Sequence, residues 1–104
     1  MVINGKELNF NILKRSDAAN YKKAIQEMEK KEQEIRKIDK DNLGAVLEAT
    51  EDMLRRFFIT ATGVDVVGDC DDIAEMSEMY GDFLREVMKQ QKSFKIPVIP
   101  KGKK

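Results

Sequence analysis

The sequence predicts a mainly α-helical domain: three amphipathic helices behind a short N-terminal β-hairpin, followed by a flexible basic C-terminal tail. Three observations predict it. Between residues 18 and 88 apolar residues recur at steps of three, four and seven, the spacing that puts them on one face of a helix. Ahead of that stretch Asn4-Gly5 separates two short apolar runs, and this pair favours the type I′ turn of a two-residue hairpin. After Gln91 the helical spacing stops, and Pro97 and Pro100 exclude a regular helix around them. The 104 residues suffice for one domain, with 1–92 as the helical unit and 93–104 as the tail.

Taken in order, Val2-Ile3 is the first hairpin strand. Leu8, Phe10 and Ile12 alternate with Glu7, Asn9 and Asn11, the pattern of a second strand with one buried face. Such a hairpin is marginal alone and is expected to lie on the helices. Ser16 or Asp17 is expected to cap the first helix. Its apolar positions are Ala18, Tyr21, Ala24, Ile25, Met28, Ile35 and Ile38, and the stripe thins through EKKEQEI between Met28 and Ile35. Asp39 and Asp41 are offered as caps of the second helix. That helix carries Leu43, Val46, Leu47, Met53, Leu54, Phe57, Phe58 and Ala61 and is expected to form the centre of the core. Gly63 suits the left-handed residue that ends a helix. Val64, Val66 and Val67 in the following loop can tuck beneath the helices as a short extended piece. Asp72 and Glu75 have the spacing of a capping box for the third helix, whose stripe reads Ile73, Met76, Tyr80, Phe83, Leu84, Val87 and Met88. Gly81 inside it costs about 1 kcal/mol relative to Ala, which a close helix approach would offset.

Composition argues against most chemistries. The chain has no histidine, so the usual general base and the commonest metal ligand are absent. Cys70 is the single cysteine; its neighbours Asp69, Asp71 and Asp72 disfavour a thiolate, and no internal disulfide can form. The acids at 65–72 lack the alternation and glycine placement of a calcium loop. Gly63 and Gly68 are followed by no lysine in the position a phosphate loop needs. Nothing here points to an enzyme, a cofactor or a metal. The 19 basic and 19 acidic residues balance, which argues against a nucleic-acid binder. No segment has the ~20 apolar residues of a membrane span or the apolar run of a signal peptide. A soluble cytoplasmic protein is expected.

The charge is nevertheless placed unevenly. Residues 65–86 hold eight acids against Arg85 alone, while six lysines and no acid lie from Lys89 onward. These surfaces can be simply solvated, or can pair within one molecule or between copies in a homo-oligomer. The methionines within the helices can be plain core filling, or can serve a surface that accepts varied apolar partners. On the second reading the partner-binding candidates are Met28, Ile35 and Ile38 on the thin first seam, Met79 just off the main stripe of the third helix, and Phe94 and Ile96 on the apolar part of the tail.

The opening MVINGKELNF, the DAANYKKAI segment, the charged first helix and the central GVDVVGD loop together resemble the tail assembly chaperones encoded by siphovirus phages and prophages of Gram-positive bacteria. The resemblance spans most of residues 1–91. It implies a mostly helical, non-enzymatic protein without a cofactor that binds the tape measure protein during tail morphogenesis, in the host cytoplasm. It transfers no residue role. The alternatives are a structural tail or head connector that forms an oligomer, and a small protein-binding regulator.

Overall fold

The structure, a computed structural model, describes residues 1–94; the expectations for the tail from Lys95 onward, including Ile96, fall outside them. The fold is mainly helical, with a two-stranded antiparallel hairpin at the N-terminus. The element order is β1 (Val2–Ile3), β2 (Lys6–Glu7), α1 (Arg15–Arg36), α2 (Leu43–Thr62) and α3 (Ile73–Ser93). Val2 pairs with Glu7 and Ile3 with Lys6. The connecting residues Asn4 (φ 52°) and Gly5 (φ 72°) both take positive φ, which a twisted two-residue hairpin requires. The Asn4 side-chain amide donates to the Val66 carbonyl at 2.8 Å, tying the turn to the α2–α3 loop.

The second strand ends sooner than its pattern suggests. Leu8 and Phe10 are buried and Asn9 is exposed, so the alternation survives, but residues 8–12 form no ladder. Their backbone groups are satisfied by other partners. Leu8 N–H donates to the Met1 carbonyl at 2.7 Å, and Asn11 N–H donates to the Asp17 carboxylate at 2.9 Å. The Gln90 side chain of α3 accepts from Ile12 N–H and donates to the Phe10 carbonyl, both at 2.9 Å. One amide thus does for this segment what a neighbouring strand would do.

Two cap assignments change for related reasons. Asp17 is occupied with Asn11, and α1 begins at Arg15, so that Ser16 and Asp17 lie in its first turn and the cap position falls to Lys14, which offers no side-chain cap. At α2 the cap is Asn42, whose side chain accepts from Ala45 N–H at 3.2 Å. Asp39 instead accepts from Asp41 N–H within the turn. Gly63, in the left-handed conformation at φ 79°, closes α2. Asp72 caps α3, accepting from Ala74 and Glu75 N–H. α3 runs on to Ser93, past the expected end.

The core gathers at one end of the helices. Phe83 is fully buried at its centre, with ring centroids 5.1 Å from Phe10, 5.6 Å from Phe58, 5.7 Å from Phe57 and 6.3 Å from Tyr21. The contacts with the three phenylalanines are edge-on, the favourable arrangement for aromatic pairs. Leu54, Phe57, Phe58 and Ala61 of α2 and Met76, Met79 and Val87 of α3 are buried around it. The α3 stripe is rotated from its expected centre: Met79 is inside at 7% exposure and Met88 is outside at 54%. Met76, Met79, Phe83 and Val87 follow steps of three, four and four, the row facing α2 and the hairpin.

The α2–α3 loop bends without forming a strand, and it buries Val66 and Val67 completely. Arg55 holds it from α2. Its guanidinium donates to the Asp65 carboxylate, to Glu51 at 2.8 Å and to the Gly68 carbonyl at 3.3 Å. The two carboxylates raise its already high pKa, the Glu51 hydrogen bond most of all, and so keep it charged.

Gly81 has no helix pressed against it. A Cβ built there meets only the Arg85 guanidinium, 3.6 Å away at ordinary contact distance. Gly81→Ala is therefore expected to raise unfolding stability by about 0.5–1 kcal/mol, whereas Phe83→Ala, two residues on, is expected to lower it by about 3–5 kcal/mol. Urea denaturation of both variants checks the opposite signs.

Candidate partner-binding surface

Between Ala24 and Leu54 no residue is buried. The C-terminal part of α1 and the N-terminal part of α2 lie against each other as an antiparallel arm that leaves the core behind. Charged and polar links cross it. Lys31 Nζ stands 3.4 Å from the Asp52 carboxylate, and Thr60 donates to Glu27 at 2.9 Å nearer the core. Along α1, Arg36 pairs with Glu32 at 3.5 Å, one turn apart. Partly exposed pairs of this kind contribute at most about 1 kcal/mol each. The arm therefore has little internal packing to stabilise it, although packing supplies most helical stability in proteins.

Its apolar residues are all partly or largely open to solvent. Met28 and Met53 meet on the α1–α2 seam and line a groove on either side of it. One groove, about 270 Å³, is walled by Ala24, Phe57 and the stems of Lys30, Lys31 and Arg56. The other, about 340 Å³, is walled by Ile25, Glu29, Glu32 and Tyr80. Burial pushes the Tyr80 phenol above its ordinary pKa, and Glu32 adds to the same shift; Tyr21 is raised by burial as well. Tyr80 therefore stays a neutral hydrogen-bonding group at the floor of the second groove at any physiological pH. Further out, Ile35 and Ile38 are partly exposed, and Leu43 and Leu47 are 62% and 41% exposed.

The six expected contact residues separate. Met28, Ile35 and Ile38 all belong to the arm: Met28 on its seam, Ile35 in the last turns of α1 and Ile38 in the turn that follows. Met79 does not share that surface, because it packs into the core beside Met76 and Phe83. Phe94 is 52% exposed at the end of α3, remote in sequence and place from the arm. Ile96 lies outside the described residues.

Sequence reasoning passed over Leu43 and Leu47 as surface residues and placed Met53 only among the helix methionines that could serve such a surface. All three sit on the α2 stripe, and a stripe looks the same whether or not something covers it. The available signal was the thinning of α1 itself, which between Met28 and Ile35 carries only charged and polar residues and so offers α2 little apolar surface.

Among the described residues no group of three or more His, Cys, Asp or Glu stands where it could hold a metal ion, and no helix is long and apolar enough to cross a membrane.

The weak packing of the arm has a measurable signature. Amide hydrogen exchange is expected to be faster across residues 29–50 than across 54–62 and 76–87, because the arm can open without disturbing the aromatic core. Equal protection in both regions would show that the arm does not open on its own. Compared with models of protein families, with curated proteins and with solved structures, the chain matches none.

Proposed function

We propose that this protein is a non-enzymatic assembly chaperone of the phage-tail type, which holds a helical segment of a client, the tape measure protein, along the α1–α2 arm in the host cytoplasm. The observation that carries the reading is the run from Ala24 to Leu54 without a buried residue. Two helices lie side by side with their apolar residues unfinished, and a third helix is the simplest object that completes such a pair. A client helix with apolar residues at steps of three and four would seat on the Met28–Met53 seam and run outward over Ile35 and Ile38. Methionine suits a seam that accepts several related segments in turn, because its side chain adapts to different shapes. A long helical client offers many such segments. The opening MVINGKELNF, the DAANYKKAI segment and the GVDVVGD loop support the same reading through their resemblance to tail assembly chaperones.

The grooves carry charge at their rims: Lys30, Lys31 and Arg56 together with Glu27 and Glu34 at the first, and Glu29 and Glu32 at the second. Such rims fix the orientation of a helix more than they add affinity.

Ile35→Asp tests the reading. Ile35 lies outside the core, so the variant is expected to keep the helical circular dichroism and melting temperature of the parent. Co-expressed with the proteins of its neighbouring genes, the parent is expected to co-purify with one long helical protein, and the variant to bind that protein at least roughly tenfold more weakly. An undiminished affinity, or loss of the whole fold, would remove the arm from the binding surface.

A further inference from the structure

A second apolar surface lies away from the α1 side of the arm. Leu47 of α2 and Ile73 of α3 form the floor of an open depression of about 610 Å³, and Asp71, Asp72 and Glu75 form its rim. Leu47 is 41% exposed and Ile73 partly exposed, so the floor is uncovered. The rim is of a single sign. Among the described residues Asp69, Asp71, Asp72, Glu75 and Glu78 form no ion pair with a lysine or arginine.

The occupant such a surface calls for is an extended apolar segment bearing positive charge. The sequence contains one: residues 95–104 read KIPVIPKGKK, with Ile96, Val98 and Ile99 interleaved by lysines and prolines and no acid. Reach decides which copy supplies it. α3 has 21 residues, so the depression at its N-terminus is roughly 31 Å from Ser93 along the helix. Ile99 is five residues past Phe94 and extends at most about 18 Å beyond it. The apolar part of the tail therefore cannot reach the depression of its own molecule.

We propose that this depression receives the C-terminal tail of a second copy of the chain, so that molecules associate head to tail. Ile96 and Ile99 of one copy cover Leu47 and Ile73 of the next, and the tail lysines face Asp71, Asp72 and Glu75. The two prolines restrict the tail before it docks, which lowers the entropy lost on ordering it. Because donor and acceptor surfaces differ, each bound pair still offers one free tail and one free depression, and the contact generates open chains. The proposal stands apart from the client reading: it uses Leu47 and Ile73, and it survives if Ile35→Asp has no effect on any client.

Two full-length variants test it together. Leu47→Arg spoils the depression at an exposed helical position and leaves the tail. The double variant Ile96→Asp/Ile99→Asp spoils the tail and leaves the depression. In sedimentation velocity the parent chain is expected to show a mass that rises with concentration and falls with added salt. Each variant alone is expected to stay monomeric, with self-association at least roughly tenfold weaker. Mixed in equal amounts, the two are expected to form a dimer that grows no further, since only one working depression and one working tail remain. Asp71→Lys, at an exposed position with no capping role, is expected to act like Leu47→Arg and guards against misfolding of the latter. A monomeric parent, self-association that persists in either variant, or a mixture that fails to pair would each overturn the proposal.

Discussion

The ring of Phe83 is the point on which the remaining elements depend. It meets Phe10 of the N-terminal segment, Tyr21 of α1, and Phe57 and Phe58 of α2. With Phe83 itself on α3, these side chains come from four separate stretches of the chain. An aromatic ring that is fully buried among rings supplies a large apolar area, and its edge-on contacts add directional preference. Around this centre lie the short apolar residues that seal it: Ala24, Ala61, Val66, Val67 and Val87. The small size of Ala24 and Ala61 admits the bulky neighbours, and the valines close the end of the core from the loop.

Concentrating the core at one end has an energetic corollary at the other. The turns of α1 and α2 that reach past Met28 and Met53 bury nothing completely. They persist through backbone hydrogen bonds, side-chain links such as Lys31–Asp52, and partial contact between the two helices. Stability in this protein is therefore graded along the helices. The graded part also carries the open apolar residues, and the compact part positions it. A surface held this way can adapt to its occupant at small cost, because little native packing has to be given up first.

Much of the architecture was legible from the sequence, for local reasons. The three helices, the Asn4-Gly5 turn, the Gly63 terminus, the Asp72 cap and the tucked valines each follow from residue types at fixed offsets. The misreadings share a different cause. Asp17, Asp39 and Asp41 are all competent caps, and which acid serves depends on what else competes for its carboxylate; Asn11 N–H claims Asp17 and Asp41 N–H claims Asp39. Residues 8–12 have a strand's alternation, but their partner is one side chain, Gln90, far along the sequence. Met79 and Met88 exchange inside for outside because the apolar stripe of α3 is wide enough for two phases, and only the aromatic cluster selects between them. At the candidate surface, periodicity marked Met28, Ile35 and Ile38 but could not mark Leu43 and Leu47 as uncovered. Coverage is a property of the assembled fold.

The Gln90 amide bonds to backbone groups 78 and 80 positions away in the sequence. Its geometry bears on how the protein is made. During synthesis the hairpin and Phe10 emerge ahead of all three helices, whereas Phe83 and Gln90 lie on the last of them. α1 and α2 can find each other as soon as both have left the ribosome, since their contacts are local in sequence. Ile3, Leu8 and Phe10 must wait in water until α3 arrives. A segment made ahead of the helices is thus sheltered only with the last of them, and the arm can form as a two-helix unit before the core that anchors it is closed.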